Sequence, residues 1–332
     1  MGHRQHTVPQ ELRDRAFTVG QAAAAGVSSS QLTRGPYTSL ARGVWQAQGR
    51  APQPDPRDEL LALLPAFLSA APGSAASHIS AALLLDLYLP AGLQRPEPIH
   101  LTRRVTGRRS RSDGFAGHRA VRGPEQFWDR QGLAVTGPAR TAVDLAGMHL
   151  RDRPRLSDEE LVALLDGVIS QHRTGLRRGA PALHPRELLE RDLVLLSGVR
   201  GIRRVRRALQ RTAPAVDSPL ETAVRLCLID HGLTGWVTDL VLSAPNGARV
   251  WPDLADPEHL LSIQVDGAHH DAVNQRKRDI ARSRITEAAG WTELRVTVDD
   301  LRTPGWPQVG APPQLITMVR SARELVASRS PR

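Results

Sequence analysis

Between Ser218 and Val298 the chain runs through helix-like and strand-like patterns in an order that few folds accept. Ser218-Pro219-Leu220-Glu221 opens a helix, with a serine to cap it and a proline suited to its first turn. The glutamate stands three residues after the serine, as in a capping box. Leu220, Val224, Leu226, Leu228 and Ile229 give this helix an apolar side, and His231-Gly232 ends it. Residues 236–242 then alternate as a strand, Ala244-Pro245-Asn246-Gly247 make a turn, and 249–254 return as a second strand. A third strand over 260–265 ends at Asp266-Gly267, a helix over 274–289 stops at Gly290, and 291–298 form a fourth strand. Because a helix separates the last two strands, they can pair in parallel.

This order brings oxygen-bearing side chains toward one edge of a sheet. Asp253 on the second strand and Asp266 at the end of the third are carboxylates that could hold a hard cation at such an edge. Glu221 could bind a second cation or orient water. His270, four residues beyond Asp266, could act as acid or base. Arg282 and Arg295 could hold substrate phosphates or pair with these carboxylates. Each residue also has an ordinary use. Glu221 can close its capping box, Asp253 follows a proline at a bend, Asp266-Gly267 is a common turn, and Asp279 with Arg282 makes an i,i+3 surface pair.

Taken in order, Ser218-Pro219-Leu220-Glu221 with Arg225, then Pro252-Asp253-Leu254, then Val265-Asp266-Gly267-Ala268-His269-His270 resemble the PD-(D/E)XK nuclease core. Asp279, Arg282, Gly290-Trp291 and Leu294-Arg295-Val296-Thr297 extend the likeness to very-short-patch-repair-like endonuclease domains. It covers about residues 218–297 and implies metal-dependent DNA cleavage. One position departs from it. Such domains carry Glu two residues before the Asp-Gly, and here that residue is Gln264. Glutamine keeps the size and one acceptor oxygen but loses the charge that holds a divalent cation. Asp266 also stands where the superfamily has its lysine, as it does in these domains, and Lys277, the sole lysine, lies on the next helix. The expectation is a nuclease fold with reduced or lost cleavage, and the alternative is an active Mg²⁺- or Mn²⁺-dependent endonuclease.

At the other end, Thr18 can cap a helix over 19–25, Gly26 breaks it, and Ser28 can cap a second helix through Leu32 and Arg34. Ser39 to Gln46 then reads as a strand or wing. A helix-turn-helix of this kind would present Ser29, Ser30, Gln31 and Arg34, with Arg42 on the wing, to base edges or phosphates. Helix pairs are also common packing units with no ligand. The stretch Leu40-Ala41-Arg42-Gly43-Val44-Trp45 resembles the wing of the abortive-infection (AbiEi-like) type IV antitoxins. Ser77-His78-Ile79-Ser80-Ala81-Ala82, the basic stretch at His118-Arg119 and Arg140-Thr141-Ala142-Val143-Asp144-Leu145-Ala146 continue that likeness over about residues 15–147. It implies DNA binding and regulation of an operon beside a cognate toxin, and assigns no catalytic residue.

The middle region reads as α/β, with helices over 77–87 and 136–146 and short strands at 99–101 and 133–135. His78, near a helix start, is expected as a surface or capping residue. Arginines cluster at Arg103, Arg104, Arg108, Arg109 and Arg111 around Gly107, and again at Arg203, Arg204, Arg206, Arg207 and Arg211 on a helix. Either cluster could grip phosphates or simply be a solvated charge run. The net charge of +10 and pI near 11.1 favour polyanionic partners, although arginine enrichment of genomic origin would produce the same balance. The single cysteine, Cys227, excludes a disulfide framework and a cysteine-based zinc site, and is expected as a small buried hydrophobe. The longest apolar runs, near 60–64 and 81–85, are far too short to span a bilayer, so a cytoplasmic protein is expected.

The resulting expectation is an α/β multi-domain chain. It comprises a winged helix-turn-helix (1–50), a proline-rich linker, an α/β middle region (57–213), a PD-(D/E)XK-like core (214–303) and a C-terminal helix and tail (304–332). The expected function is DNA binding in defence or toxin–antitoxin control, with a protein-binding antitoxin or scaffold as a further alternative.

Overall fold

The computed structural model describes residues 7–103, 111–112, 115–119, 127–148, 156–171, 179–267, 272–302 and 311–329. The chain is mixed α/β, with several small sheets. It divides into two compact units, and the division is not a single cut. Residues 1–157 and 186–207 form the first, and 158–185 and 208–332 the second.

The first unit opens with β1 (Phe17–Thr18), α1 (Val19–Ala24), α2 (Ser29–Arg34), β2 (Tyr37–Ala41) and β3 (Val44–Ala47). Both helices start as the sequence predicts. Thr18 caps α1 and Ser28 caps α2, each in a reciprocal capping box with a glutamine, Gln21 and Gln31. Gly26 takes φ +78°, which ends α1 and frees the chain to turn into α2. The stretch from Ser39 is the inner part of an antiparallel hairpin that turns at Arg42-Gly43, with β1 on the far side of β3. Leu12, Phe17, Ala22, Val27, Leu32 and Tyr37 form the core beneath. The proline-rich stretch expected as a linker is tied down. Asp55 caps α3 (Pro56–Ala70), and Glu59 accepts from Arg50 and from the Gln53 N–H at 2.8 Å.

Next come β4 (Ser74–Ala76), α4 (His78–Leu84), β5 (Ile99–Arg103), β6 (Arg111–Ser112), β7 (Phe115–Arg119), β8 (Phe127–Arg130), β9 (Leu133–Thr136) and α5 (Pro138–Gly147). The strands form one sheet in the order β6-β7-β5-β4-β9-β8. From α5 the chain passes to α6 (Asp158–Ile169) in the second unit, returns for α7 (Arg186–Leu195), and leaves through α8 (Ile202–Leu209). Helix α8 buries Ile202, Val205, Ala208 and Leu209 and exposes Arg203, Arg206 and Arg207. Arg204 instead turns inward, donating to the carbonyls of Ala146 and Leu156.

The second unit continues with α9 (Pro219–Asp230), the hairpin β10 (Leu242–Ser243) and β11 (Arg249–Val250), then β12 (Leu254–Asp256), β13 (Leu261–Val265), α10 (Ala272–Ala288), β14 (Thr292–Val296) and α11 (Gln314–Arg329). Strand β13 is central, antiparallel to β12 and parallel to β14 across the α10 crossover. The strand expected over 236–242 shrinks to a bridge between Val237 and Ala255 and the two residues of β10. Val237 and Val241 face solvent, and the Thr238 hydroxyl is drawn to the Pro214 carbonyl. The strand expected over 249–254 divides into β11 and β12 at Pro252, which has no N–H to continue a ladder. The C-terminal helix packs into the same core as α9 and the sheet, through Leu315, Ile316 and Val319. Arg323 fixes it further, 2.7 Å from the buried Asp256 and over the ring of Trp236. No described helix is long and apolar enough to cross a membrane.

Candidate carboxylate site and basic surfaces

Asp253 stands just before β12. The pairing Leu254↔Ile263 carries it opposite Gln264 on β13. Its Oδ2 accepts two hydrogen bonds, from Gln264 Nε2 at 2.5 Å and from the Val265 N–H at 2.7 Å. Glu221 reaches the same place from the first turn of α9. The Ser218 hydroxyl caps this helix, accepting from the Glu221 N–H, while Glu221 Oε2 accepts from the Asp217 N–H at 2.8 Å. The Glu221 carboxyl thus bonds the residue before the cap, and the reciprocal bond of the expected capping box falls on Asp217.

Burial is the main reason that both carboxyls are pushed upward, Glu221 to about 8 and Asp253 to about 6. For Glu221 the next cause is the charge of Asp253. For Asp253 the hydrogen bonds from Val265 and Gln264 and the Arg282 charge work in the opposite direction. Two half-buried acids that repel each other leave an energetic gain for a cation or proton placed between them. Among the described residues the buried Oε1 of Gln264 has no hydrogen-bond partner. Glu221, Asp253 and this carboxamide oxygen make an all-oxygen donor set that fits a hard divalent cation. It carries one charge fewer than three carboxylates would.

Asp266 belongs to a second group. Its Oδ2 lies 3.4 Å from Arg295 Nε, and Arg295 Nη2 lies 2.9 Å from Asp279. Arg295 stands opposite Gln264, and Glu293 opposite Ser262, so all four share one face of the sheet. Arg282 bears on both groups, 3.7 Å from Glu293 and from Asp279 while its charge acts on Asp253. Its Nε and Nη2 are buried without hydrogen-bond partners among the described residues. The structure therefore brings Glu221, Asp253 and Gln264 together and engages Asp266 with Arg295. His270 lies outside the described residues, as do Arg104, Arg108 and Arg109.

Sequence reasoning missed two acids here. Glu293 could have been found from its alternation with Arg295 along β14. Asp217, whose charge acts on both Glu221 and Asp253, has no signal beyond standing beside the cap. Arg225, a motif residue, proves structural, with its guanidinium 2.7 Å from the buried Asp166.

In the first unit, Ser29, Ser30 and Arg34 are exposed on α2, and Arg42 is exposed at the hairpin turn. The Gln31 carboxamide oxygen is occupied in the α2 cap, accepting from the Ser28 N–H at 2.7 Å. Arg206 donates to the Leu193 carbonyl at 3.2 Å, and with Arg203 it leaves a cationic face on α8.

No family model matches the chain. It is similar to two uncharacterized proteins of Mycobacterium tuberculosis, MT2308 of strain CDC 1551 / Oshkosh and Rv2248 of strain H37Rv. Each is 29% identical over 172 residues, which cover 52% of this chain and 57% of the relative. The chain thus matches little more than half the length of these relatives. A crystal structure of the RV2827C protein from Mycobacterium tuberculosis aligns with a TM-score of 0.37 at 19% identity, covering 64% of this chain and 75% of that one.

Proposed function

We propose that this is a cytoplasmic DNA-binding protein of bacterial defence or toxin–antitoxin type, the latter alternative implying a cognate toxin. In this reading β1 to β3 with α1 and α2 are a winged helix-turn-helix, and the second unit holds a very-short-patch-repair-like PD-(D/E)XK fold with reduced or lost cleavage. The two motif resemblances support it, together with the exposed Ser29, Arg34 and Arg42 and the cationic face of α8. The observation that carries the catalytic part is the bond from Gln264 to Asp253. An amide donor there occupies an oxygen that a cation would need, and it brings no charge of its own. A bound Mg²⁺ or Mn²⁺ would supply an activated water and neutralise phosphate charge. Glu221, Asp253 and the Gln264 oxygen would hold it more weakly than three carboxylates.

The mutual repulsion of Glu221 and Asp253 favours a second reading, an active endonuclease, because such a pair suits a cation. Nicking of supercoiled plasmid with Mg²⁺ and Mn²⁺ separates the two. The leading reading expects little or no cleavage by the wild type and a gain in Gln264→Glu. Robust wild-type cleavage that disappears in Asp253→Ala would establish the active enzyme. Duplex binding measured against salt tests the DNA-binding part. Absence of binding even near 50 mM salt, where phosphate contacts are strongest, would leave a protein-binding antitoxin or scaffold.

A further inference from the structure

Three histidines converge in the first unit, and none of them belongs to the sites described above. His100 lies on β5 and His118 on β7. The register pairs His100 with Ala116 and Thr102 with His118, so both rings stand on one face, two register positions apart. His78 arrives from the other neighbour of β5. The Ser77 N–H donates to the His100 carbonyl at 2.9 Å, and the chain then turns at His78 with φ +52°. A non-glycine residue is held there only when its surroundings over-determine it, and such residues cluster at functional sites. Contrary to the expectation of a surface or capping role for His78, the residue is buried at 7% exposed, and His100 beside it is 3% exposed.

One ligand atom from each of the three histidines lies within 4.8 Å of the others. The rings of His78 and His118 stack with centroids 3.7 Å apart. His100 Nδ1 meets His118 Nε2 at 2.9 Å. Two imidazole lone pairs cannot face each other at that distance, so a proton or a cation must lie between them. On the opposite side, His78 Nδ1 lies 3.0 Å from the Ser77 hydroxyl and 3.8 Å from Asp144 Oδ2, which leaves Nε2 as its ligand nitrogen. Asp144 Oδ1 accepts from Arg140 at 2.8 Å. Oδ2 is buried with no hydrogen-bond partner among the described residues.

We infer that His78, His100 and His118 form a binding site for a first-row divalent transition ion such as Zn²⁺, with Asp144 orienting His78 from behind. Imidazoles suit zinc, cobalt or nickel, whereas magnesium and calcium take oxygen. A carboxylate behind a ligating histidine is the usual outer partner of such an ion. At Zn–N distances of about 2.0–2.1 Å, tetrahedral ligand nitrogens stand about 3.3 Å apart. His100 and His118 therefore need to part by a few tenths of an ångström, while His78, stacked on His118, has to turn its edge toward the ion. The ion would join β5, β7 and the start of α4, and the inference is independent of the proposed nuclease fold.

The test uses the full chain, stripped with chelator and then loaded with Zn²⁺ or Co²⁺. One tightly held equivalent is expected, with an X-ray absorption first shell dominated by imidazole nitrogen and the intense visible bands of four-coordinate Co²⁺. His118→Ala should lose that equivalent, and Asp144→Asn should weaken it about 10–100-fold. Zinc should raise the thermal midpoint of the wild type and leave that of His118→Ala unchanged. Any of three results would overturn the site: no retained zinc, a first shell dominated by oxygen, or an unchanged equivalent in His118→Ala. Because the absorption measurement is made on the wild type, it decides the matter even if the variant fails to fold.

Discussion

Two acidic side chains of the second unit, Asp166 and Asp253, are both buried enough to have their carboxyls pushed upward, and they are treated in opposite ways. Around Asp166 the polar groups are nearly all used. Oδ1 accepts from the Ala213 N–H at 2.8 Å, and Oδ2 accepts from Thr222 and Arg225, each at 2.7 Å. Arg225 also donates to the Arg211 carbonyl, and only its Nε has no hydrogen-bond partner among the described residues. Around Asp253 the donors and acceptors do not close. Both of its described hydrogen bonds fall on one oxygen, while Gln264 Oε1 and two nitrogens of Arg282 are buried without hydrogen-bond partners among the described residues. A closed network fastens α6 to α9 and the chain before it. An open one costs stability and is retained where a further group completes it.

The sharpest way to break this comparison is to delete Asp166. Asp166→Ala leaves Arg225 buried without its counterion and should cost about 3–5 kcal/mol in urea unfolding. A loss below about 1 kcal/mol would mean that the network is not structural.

The second test is a pH series in chelator. Glu221 titrates near 8 when folded, against 4.5 for the ordinary group, so the folded state binds more protons between those values. Stability should therefore be fully present below about 4.5 and fall as pH rises through about 8, by at most about 1.4 kcal/mol per pH unit. Glu221→Gln should flatten that slope. An unchanged slope would remove Glu221 from the strained pair.

The smallest expected effect is that of Arg282→Ala. Stability should stay within about 1 kcal/mol of wild type, since its nearest carboxylates stand 3.7 Å away. Duplex DNA affinity should fall, and the salt dependence should lose about one phosphate's worth of slope. Loss of stability without any change in DNA binding would move Arg282 to the structural side, beside Arg225.

Local features of this chain were legible because their causes are local. Thr18, Ser28 and Ser218 announce helix starts through bonds spanning three residues, and all three do so in the structure. The parallel pairing of β13 with β14 followed from the helix between them. Glu221, Asp253 and Gln264 could be singled out as residue types at telling positions. Their partners could not be read, because Gln264 bonds to Asp253 only through the register of two strands. Nor did composition separate 158–185 from its neighbours. Those residues join the second unit, where Asp166 is held by Thr222 and Arg225 more than fifty positions away.

The sequence by itself determined where the capped helices begin, since a cap depends on a neighbour three residues away. Tertiary structure alone decided that Arg225 is bound to the buried Asp166, that two nitrogens of Arg282 lack hydrogen-bond partners among the described residues, and that three histidines far apart in the chain converge. The physical reason is that burial and hydrogen-bond completion depend on which distant groups the packing delivers. A lone carboxylate or imidazole in a sequence carries no mark of whether its partners will arrive.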